Sequence, residues 1–351
     1  MKNYSNNKIL ISYGTRPEII KLSPVIRELS IRGIPFKTVF TGQHKELFED
    51  VKDLIPNPDY KLEIMKKNQT LTEIMSNLSS GFGKVLLNEK PDLLIVQGDT
   101  STVAITALMA FYEKIFIGHV EAGLRTYDLS SPFPEEGNRQ IVSRIAKFNW
   151  APTQNAANQL MKENAKNIIV TGNTVIDACV KFNFPVSYEE KVLVTLHRRE
   201  NFGTPMKKIF TELNQLAKEN PNLEFIFPLH PNPNVQKLKS LLQYVNVIAP
   251  LGYSEIIKLL SKVKFVISDS GGIQEECAAF KKKVLVCRNT TERPEGIDAG
   301  FAKLVHTDIM KNFNWANDNP IWIGENPFGD GNASKKIISS IVEFLSSYEK
   351  N

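Results

Sequence analysis

The sequence predicts an α/β protein made of two doubly wound, Rossmann-like domains that face each other across a cleft. Short β-branched runs of strand length alternate with stretches in which apolar residues recur at helical spacing. Strands separated by helices form a parallel sheet with helices on both faces. The chain has 351 residues, enough for two hydrophobic cores. The alternation is interrupted at Pro185.

The first predicted domain covers residues 1–182. Apolar runs predict strands at 9–13, 36–40, 93–96 and 115–117, and a strand followed by a helix spans 168–181. Helical spacing of apolar residues predicts helices over 19–29, within 70–87 and over 102–112. The helical pattern stops in the segment 182–186, where Pro185 marks the predicted seam between the domains.

The second predicted domain covers residues 183–332. Its strands are predicted at 192–196, 223–227, 245–248, 265–267 and 284–286. The C-terminal segment 333–351 is expected to carry a last helix, amphipathic over 335–348. The sequence leaves open whether this helix packs back on the first domain or on the second.

The composition argues against several classes of function. The net charge is only +5, and no basic stretch is interleaved with aromatic residues, so we expect no binding to nucleic acid. The apolar run at 103–112 is too short to cross a membrane, and the polar N-terminus lacks the features of a secretory signal. Three cysteines stand far apart, as is typical of reduced thiols. We therefore expect a cytoplasmic protein.

The segment Ser270-Gly271-Gly272 follows the strand predicted at 265–267 and opens a helical pattern. A helix N-terminus presents backbone N–H groups that favour an anion such as phosphate, and the two glycines allow a ligand close approach. Glu276 lies further along this helix, where a carboxylate can accept hydrogen bonds from a ribose diol. The same pattern is also typical of an ordinary strand–turn–helix corner.

Ligands of open α/β sheets bind beyond the carboxyl ends of the strands, so the candidate site residues are those that follow each strand. Arg16 and Lys21 place positive charge near the start of a helix, which is unfavourable unless an anion is bound there. Asp99 and Glu121 follow consecutive strands, and Glu135 opens a helix. Carboxylates that converge on a cleft are suited to acid–base chemistry. Surface charges, an N-cap at Asp99 and a first-turn charge at Glu135 are the alternative interpretations.

In the second domain, His197-Arg198-Arg199 follows the first strand and His230 the next. Such a basic strand end is costly beside a core and natural beside a phosphate. No pair of the five histidines has the spacing of a metal site, so we expect no metal. No Gly-x-Gly-x-x-Gly follows a strand, so we expect no nicotinamide cofactor.

These segments together resemble the non-hydrolysing, bacterial UDP-N-acetylglucosamine 2-epimerase family. Seven blocks match in family order over about 280 residues, namely 14–18, 98–100, 119–126, 132–136, 197–201, 269–276 and 291–295. Each block alone is a weak signal, but seven in order are highly specific. The resemblance implies a glycosyltransferase-B-type fold, a UDP-sugar as substrate, no cofactor and a homodimer.

The resemblance also assigns roles to residues. The four residues at the family's catalytic positions are Asp99, Glu121, Glu135 and His197. Residues at the substrate-binding positions are Ser270, Gly271 and Gly272 for phosphate, Glu276 for ribose, and Arg16, Lys21 and Arg293 for the diphosphate. The implied reaction eliminates UDP to give 2-acetamidoglucal and adds it back with inversion at C2. Its product would supply a precursor of surface polysaccharide.

Members of this family also bind a second UDP-N-acetylglucosamine as an activator, and Gln43, Glu136, Arg198 and His230 fit that site. Glu46 and Asn68 stand where Gln and Arg are expected, which would weaken binding of a diphosphate sugar. Two further departures are Leu196, where a glycine is usual, and Leu251, near the position of a glutamine.

Four alternative functions stay open at this stage. The first is a 2-epimerase of a related UDP-sugar, such as a 2,3-diacetamido uronic acid or an N-acetylfucosamine precursor. The second is a hydrolysing epimerase that releases N-acetylmannosamine and UDP. Pro17 favours the non-hydrolysing branch, since the hydrolysing proteins have alanine there. The other two are a glycosyltransferase of the same fold and a nucleotide-sugar sensor, and the acid–base set Asp99, Glu121 and Glu135 argues against both.

Overall fold

The computed structural model describes residues 8–42, 51–62, 64 and 69–348. The chain divides into two compact units. The first unit comprises the described parts of Met1–Ala178 and Gly329–Asn351, and the second comprises Cys179–Phe328. Each unit is built on its own parallel sheet with its own core.

The sheet of the first unit has the strand order β3-β2-β1-β4-β5-β6-β7, and every pairing in it is parallel. The strands are β1 (Ile9–Tyr13), β2 (Phe36–Phe40), β3 (Tyr60–Lys61), β4 (Leu93–Gln97), β5 (Phe116–Val120), β6 (Phe148–Ala151) and β7 (Ile168–Val170). The order reverses between β1 and β4, so the loops after these two strands diverge and leave a crevice at their carboxyl ends.

The helices of the first unit are α1 (Arg16–Ile31), α2 (Leu71–Glu89), α3 (Ser101–Tyr112), α4 (Glu135–Ile145), α5 (Gln154–Lys162), α6 (Thr174–Lys181), which runs on into the second unit, and the C-terminal α13 (Ala333–Tyr348). Helix α1 begins with Pro17 in its first turn and Glu18 at its third position, where the carboxylate caps the backbone. Arg32, just past α1, donates hydrogen bonds to Ser339 Oγ and the Lys335 carbonyl, which join α13 to this unit.

The sheet of the second unit has the order β10-β9-β8-β11-β12-β13 and is also parallel. Its strands are β8 (Glu189–Thr195), β9 (Glu224–Pro228), β10 (Asn246–Ile248), β11 (Val263–Ser268), β12 (Val284–Val286) and β13 (Ala302–Leu304). Its helices are α7 (Thr204–Glu219), α8 (Pro233–Gln236), α9 (Tyr253–Lys262), α10 (Gly271–Ala279), α11 (Pro294–Asp298) and α12 (Ile309–Asn317). The order reverses between β8 and β11.

The prediction of an α/β fold with doubly wound parallel sheets is confirmed. Strands β3, β6 and β13 lack a clear apolar run and were not predicted. In β6 the run is interrupted by Asn149, which is completely buried and whose Nδ2 donates to the Lys166 carbonyl oxygen at 3.1 Å. Among the described helices, none combines the length and the apolar content needed to cross a bilayer.

Candidate active site

The crevice of the first unit contains a buried ion pair between Lys21 and Glu121. Lys21 lies in the second turn of α1 and Glu121 follows β5, and the Lys21 ammonium donates to Glu121 Oε1. Each side chain is only 7% exposed. A carboxylate and an ammonium group at this depth stabilise each other's charged forms. The sequence suggested that Lys21 binds an anionic ligand. In the structure, its ammonium group is paired with a carboxylate of the protein, that of Glu121.

Two amides also bind Glu121. Gln97, the last residue of β4, donates from Nε2 to Glu121 Oε2 at 2.5 Å, and Asn173 donates from Nδ2 to Oε1 at 3.1 Å. Neither residue is among the site residues predicted from the sequence. The signal that would have found them is position, because Gln97 ends a strand and Asn173 precedes α6 at the same edge of the sheet.

Glu18 joins the two loops that border the crevice. Its Oε2 accepts the Gly14 N–H at 2.6 Å, and its Oε1 accepts the Thr100 hydroxyl at 2.8 Å. The side chain is fully buried, and this burial raises the pKa of Glu18 to about 7 despite these hydrogen bonds. Glu18 therefore fixes the loop that carries Arg16, at the partly exposed start of α1, to the loop that carries Asp99.

Asp99 follows β4 and is held by α4. Its Oδ2 accepts hydrogen bonds from Arg139 Nε at 2.8 Å and Nη2 at 2.6 Å, and its carbonyl oxygen accepts from the Asn138 amide at 2.8 Å. The Asp99 side chain is 27% exposed, so one face stays open to solvent. Arg139 thus orients an accessible carboxylate at the carboxyl edge of the sheet.

Glu135 and Glu136 occupy different environments at the start of α4. Glu135 is half-buried at the first position. Glu136 is completely buried and accepts the backbone N–H groups of Thr126 at 3.0 Å and Tyr127 at 3.2 Å. Burial opposes ionisation of Glu136, but hydrogen bonds from Gln140 and the Thr126 N–H, together with the charge of Arg139, hold its pKa below the usual range. The Glu136 carboxylate is therefore engaged with backbone groups of the protein itself.

His119 supports the same edge of the sheet. It lies inside β5, completely buried, with Nε2 2.7 Å from the carbonyl oxygen of Gly98, so Nε2 carries the proton. Burial lowers the pKa of His119 to about 4, and the ring is neutral at physiological pH. Gly98 has φ +81°, a conformation that favours glycine, and the His119 bond fixes this turn just before Asp99.

In the second unit, Ser270 is the N-cap residue of α10, and Gly271 and Gly272 form its first turn. A Cβ atom on Gly271 would lie 2.6 Å from Arg293 Nη1, so the guanidinium packs directly on the glycine. A Cβ on Gly272 would meet nothing within 4 Å. The helix N-terminus thus has a cation on one side and open space on the other, an arrangement that suits a phosphate group.

Arg293 is held by a buried ionic network. Its Nε donates to Glu275 Oε1 at 2.6 Å, and its Nη1 lies 3.4 Å from Glu292 Oε2. Arg288 donates to both carboxylate oxygens of Glu292, at 2.9 and 3.3 Å. Burial opposes ionisation of Glu292, but the charges of Arg293 and Arg288 lower its pKa to about 2. The network keeps both arginines fixed beside α10.

Asp269, which is completely buried, organises the turn that carries His197. Its carboxylate accepts the backbone N–H groups of His197 at 3.0 Å and Arg198 at 2.9 Å, and the Asn201 amide at 3.0 Å. The His197 ring stacks on His230 with centroids 5.2 Å apart. Burial lowers the pKa of His197 and of His230, and both rings are neutral at physiological pH. Asp269 is not among the site residues predicted from the sequence.

The remaining predicted site residues are placed as follows. Glu276 lies within α10 and is 6% exposed. Tyr253 is close to it, and the burial of Tyr253 together with the negative charge of Glu276 raises the pKa of Tyr253 well above the usual value. The guanidinium of Arg198 is mostly buried, and burial lowers its pKa. Gln43, Glu46 and Asn68 lie outside the described residues.

Within the part of the chain that the structure describes, no three His, Cys, Asp or Glu side chains are grouped to hold a metal ion.

Comparison with known proteins gives one consistent answer. The family model described as UDP-N-acetylglucosamine 2-epimerase matches residues 27–342. The UDP-N-acetylglucosamine 2-epimerase of Neisseria meningitidis serogroup A is 42% identical over 369 residues, a match that covers 96% of this chain and 99% of that protein.

Solved structures agree with the sequence comparison. The crystal structure of the Neisseria meningitidis UDP-GlcNAc 2-epimerase bound to UDP-GlcNAc is 41% identical and superposes with a TM-score of 0.89, covering 96% of this chain and all of that chain. The structure of S. aureus MnaA with UDP is 38% identical with a TM-score of 0.87, and the match covers 97% of both chains.

Proposed function

This chain belongs to the UDP-N-acetylglucosamine 2-epimerase family, and from that premise we propose that it interconverts UDP-N-acetylglucosamine and UDP-N-acetylmannosamine without net hydrolysis. The observation that supports the proposal most strongly is the buried Glu121 carboxylate, which Lys21 and two amides hold at the carboxyl edge of the first sheet. Such a group is suited to moving a proton to and from carbon.

The chemistry explains why more than one acid–base group is needed. The hydrogen on C2 of the sugar is not next to a carbonyl, so its direct removal is difficult. Cleavage of the anomeric C–O bond sends its electron pair to UDP, and loss of the C2 proton then forms the C1=C2 double bond of 2-acetamidoglucal. Re-addition of UDP with protonation on the other face inverts C2. We assign removal of the C2 proton and its delivery to the other face to Glu121, Asp99 and Glu135, and we propose His197 as a further catalytic residue.

The leaving group has to be stabilised as a diphosphate. In the proposal, Ser270, Gly271 and Gly272 bind phosphate at the N-terminus of α10, and Arg293 supplies a fixed positive charge beside it. Arg16 adds positive charge in the first unit, and Glu276 binds the ribose. Lys21, which the sequence also assigned to the diphosphate, is paired with Glu121 and is given the role of holding that carboxylate. Preorganised donors and cations of this kind favour departure of the anion.

Three further features are proposed. We place the enzyme in the cytoplasm, consistent with Cys179, Cys277 and Cys287, all of which are free and buried. We expect a homodimer, which light scattering of the purified protein would test. We also propose that the product serves as a precursor for surface polysaccharide.

Proton NMR of the purified protein with UDP-N-acetylglucosamine in D2O tests the reaction. Growth of UDP-N-acetylmannosamine signals with deuterium at C2 is the expected result. Accumulation of free N-acetylmannosamine and UDP would instead establish a hydrolysing epimerase. Absence of any turnover would overturn this substrate assignment, and the 2,3-diacetamido uronic acid derivative would be the next substrate to test.

A further inference from the structure

The backbone at Glu121 indicates that this residue is held in place by its surroundings. Glu121 has φ +65°, a left-handed conformation that is unfavourable for a residue with a side chain. Strained conformations of this kind persist where the neighbouring structure determines them, and they are concentrated at functional sites. The side chains that bind the Glu121 carboxylate are therefore part of what fixes its position.

Gln97 is placed by the sheet itself. It is 2% exposed, and in the parallel pairing of β4 with β5 it lies opposite Val120, the residue before Glu121. Its Nε2 donates to Glu121 Oε2 at 2.5 Å. The register of two central strands thus sets the distance between the amide and the carboxylate.

Asn173 is placed by the helix that follows it. It is 2% exposed, and its Oδ1 accepts the Val175 N–H at 3.1 Å. Because Oδ1 is engaged with a backbone donor, the NH2 group has to point to Glu121 Oε1, which it reaches at 3.1 Å. The hydrogen-bond network therefore assigns the orientation of this amide.

We infer that Gln97 and Asn173 are positioning residues that hold the Glu121 carboxylate in the geometry required of a base. This inference rests on the proposed epimerase function. Lys21 supplies charge to the same carboxylate, whereas the two amides supply direction, one on each carboxylate oxygen. Three donors from three different segments leave the carboxylate little freedom to rotate.

Isosteric acidic variants test the inference. Asn173→Asp and Gln97→Glu each replace a donor by a second carboxylate, and the repulsion between two negative charges at this distance raises the pKa of one of them. We expect the acidic limb of the kcat–pH profile to move upward by about one pH unit or more, with kcat about tenfold lower at pH 7. KM is expected to change little, because neither residue is assigned to substrate binding.

The matched control is Asn158→Asp, which makes the same charge change at an exposed position of α5 in the same unit. It is expected to keep the wild-type kcat and pH profile. Gln97→Met removes the donor without adding charge and is expected to lower kcat with a smaller shift of the profile. It also keeps the test decisive should Asn173→Asp fail to fold.

The results separate this inference from the proposed function. Failure of the wild-type protein to exchange the C2 hydrogen of any UDP-sugar would overturn the proposed function. An active wild type whose folded Asn173 and Gln97 variants keep the wild-type kcat and pH profile would overturn the inference alone. A large rise in KM at constant kcat would also overturn it, because that result assigns the amides to substrate binding.

Discussion

The guanidinium group of Arg293 packs on Gly271 so closely that a Cβ atom on that glycine would lie 2.6 Å from Nη1. Position 271 requires a glycine because the Arg293 side chain leaves no room for a Cβ atom. The backbone conformation does not require one, since the φ of Gly271 is not in the left-handed region. Arg293 cannot simply swing away, because its Nε is bound to Glu275. Gly272, the next residue, has open space in the direction of its missing Cβ.

Two alanine variants separate these roles. Gly271→Ala is expected to displace Arg293 and weaken the Glu275 ion pair, which lowers both the Tm and the affinity for UDP, the latter about tenfold or more. Gly272→Ala is expected to keep the wild-type Tm but to lose affinity for UDP, because its methyl group occupies the approach of the phosphate. Thermal unfolding and calorimetric titration with UDP measure the two effects.

Gly272→Ala provides the sharper test of the phosphate assignment. Unchanged Tm with unchanged UDP affinity would show that no ligand approaches this glycine. The fall in affinity without a fall in stability is the combination that the assignment requires.

A second prediction concerns which partner Lys21 serves. Lys21→Met removes the charge while keeping the length of the side chain, and leaves a buried carboxylate without its cation, a loss of about 3–5 kcal/mol in comparable pairs. We expect a lower Tm, kcat reduced at least about a hundredfold and an acidic limb shifted upward. Lys21→Arg keeps the charge and serves as the control. A rise in KM at constant kcat would assign Lys21 to the diphosphate instead of Glu121.

The positions of the candidate residues could be predicted from the sequence, but most of their partners could not. Apolar periodicity located the central strands, and the rule for parallel sheets then directed attention to Asp99 and Glu121. Which side chains reach Glu121 depends on strand register and on the turn before α6. Gln97 and Asn173 stand at the end of a strand and before a helix, but one sequence does not show that their amides reach Glu121.

The adjacent residues Glu135 and Glu136 show the same limit on a helix. Successive residues of a helix point about 100° apart, so only one of the two can face the interior fully. The structure buries Glu136 completely and leaves Glu135 half-exposed. The sequence could place both at the start of α4 but not decide between them, because the choice depends on how α4 packs on the turn at Thr126.

A third prediction concerns Asp269. Asp269→Asn leaves one acceptor oxygen and turns an NH2 group toward backbone N–H donors, so we expect a loss of about 2–3 kcal/mol in the free energy of unfolding. The turn at His197 would lose its anchor, and activity would fall with it. Asp308→Asn, which removes an exposed carboxylate of the same unit, is the control and should leave the Tm near that of the wild type. Chemical denaturation of both variants checks the difference. An Asp269→Asn protein as stable and active as Asp308→Asn would contradict the structural role given to this carboxylate.

A fourth prediction follows from the proton on Glu18. Its pKa is about 7 in the folded protein because of burial, against 4.5 for the ordinary side chain. A folded-state pKa above the unfolded value means that the folded protein holds its proton more tightly. The tighter binding of this proton stabilises the folded protein fully below pH 4.5, and the stabilisation is lost as the pH rises through 7. Over this range the free energy of unfolding falls by about 3 kcal/mol.

Glu18→Gln cannot titrate, so its free energy of unfolding relative to the wild type should increase by about that amount from pH 4.5 to 7. Urea denaturation at several pH values measures this difference, and Glu28→Gln, on the same helix, is the matched control. A difference that stays constant with pH would show that the buried Glu18 carboxyl titrates equally in the folded and unfolded chains.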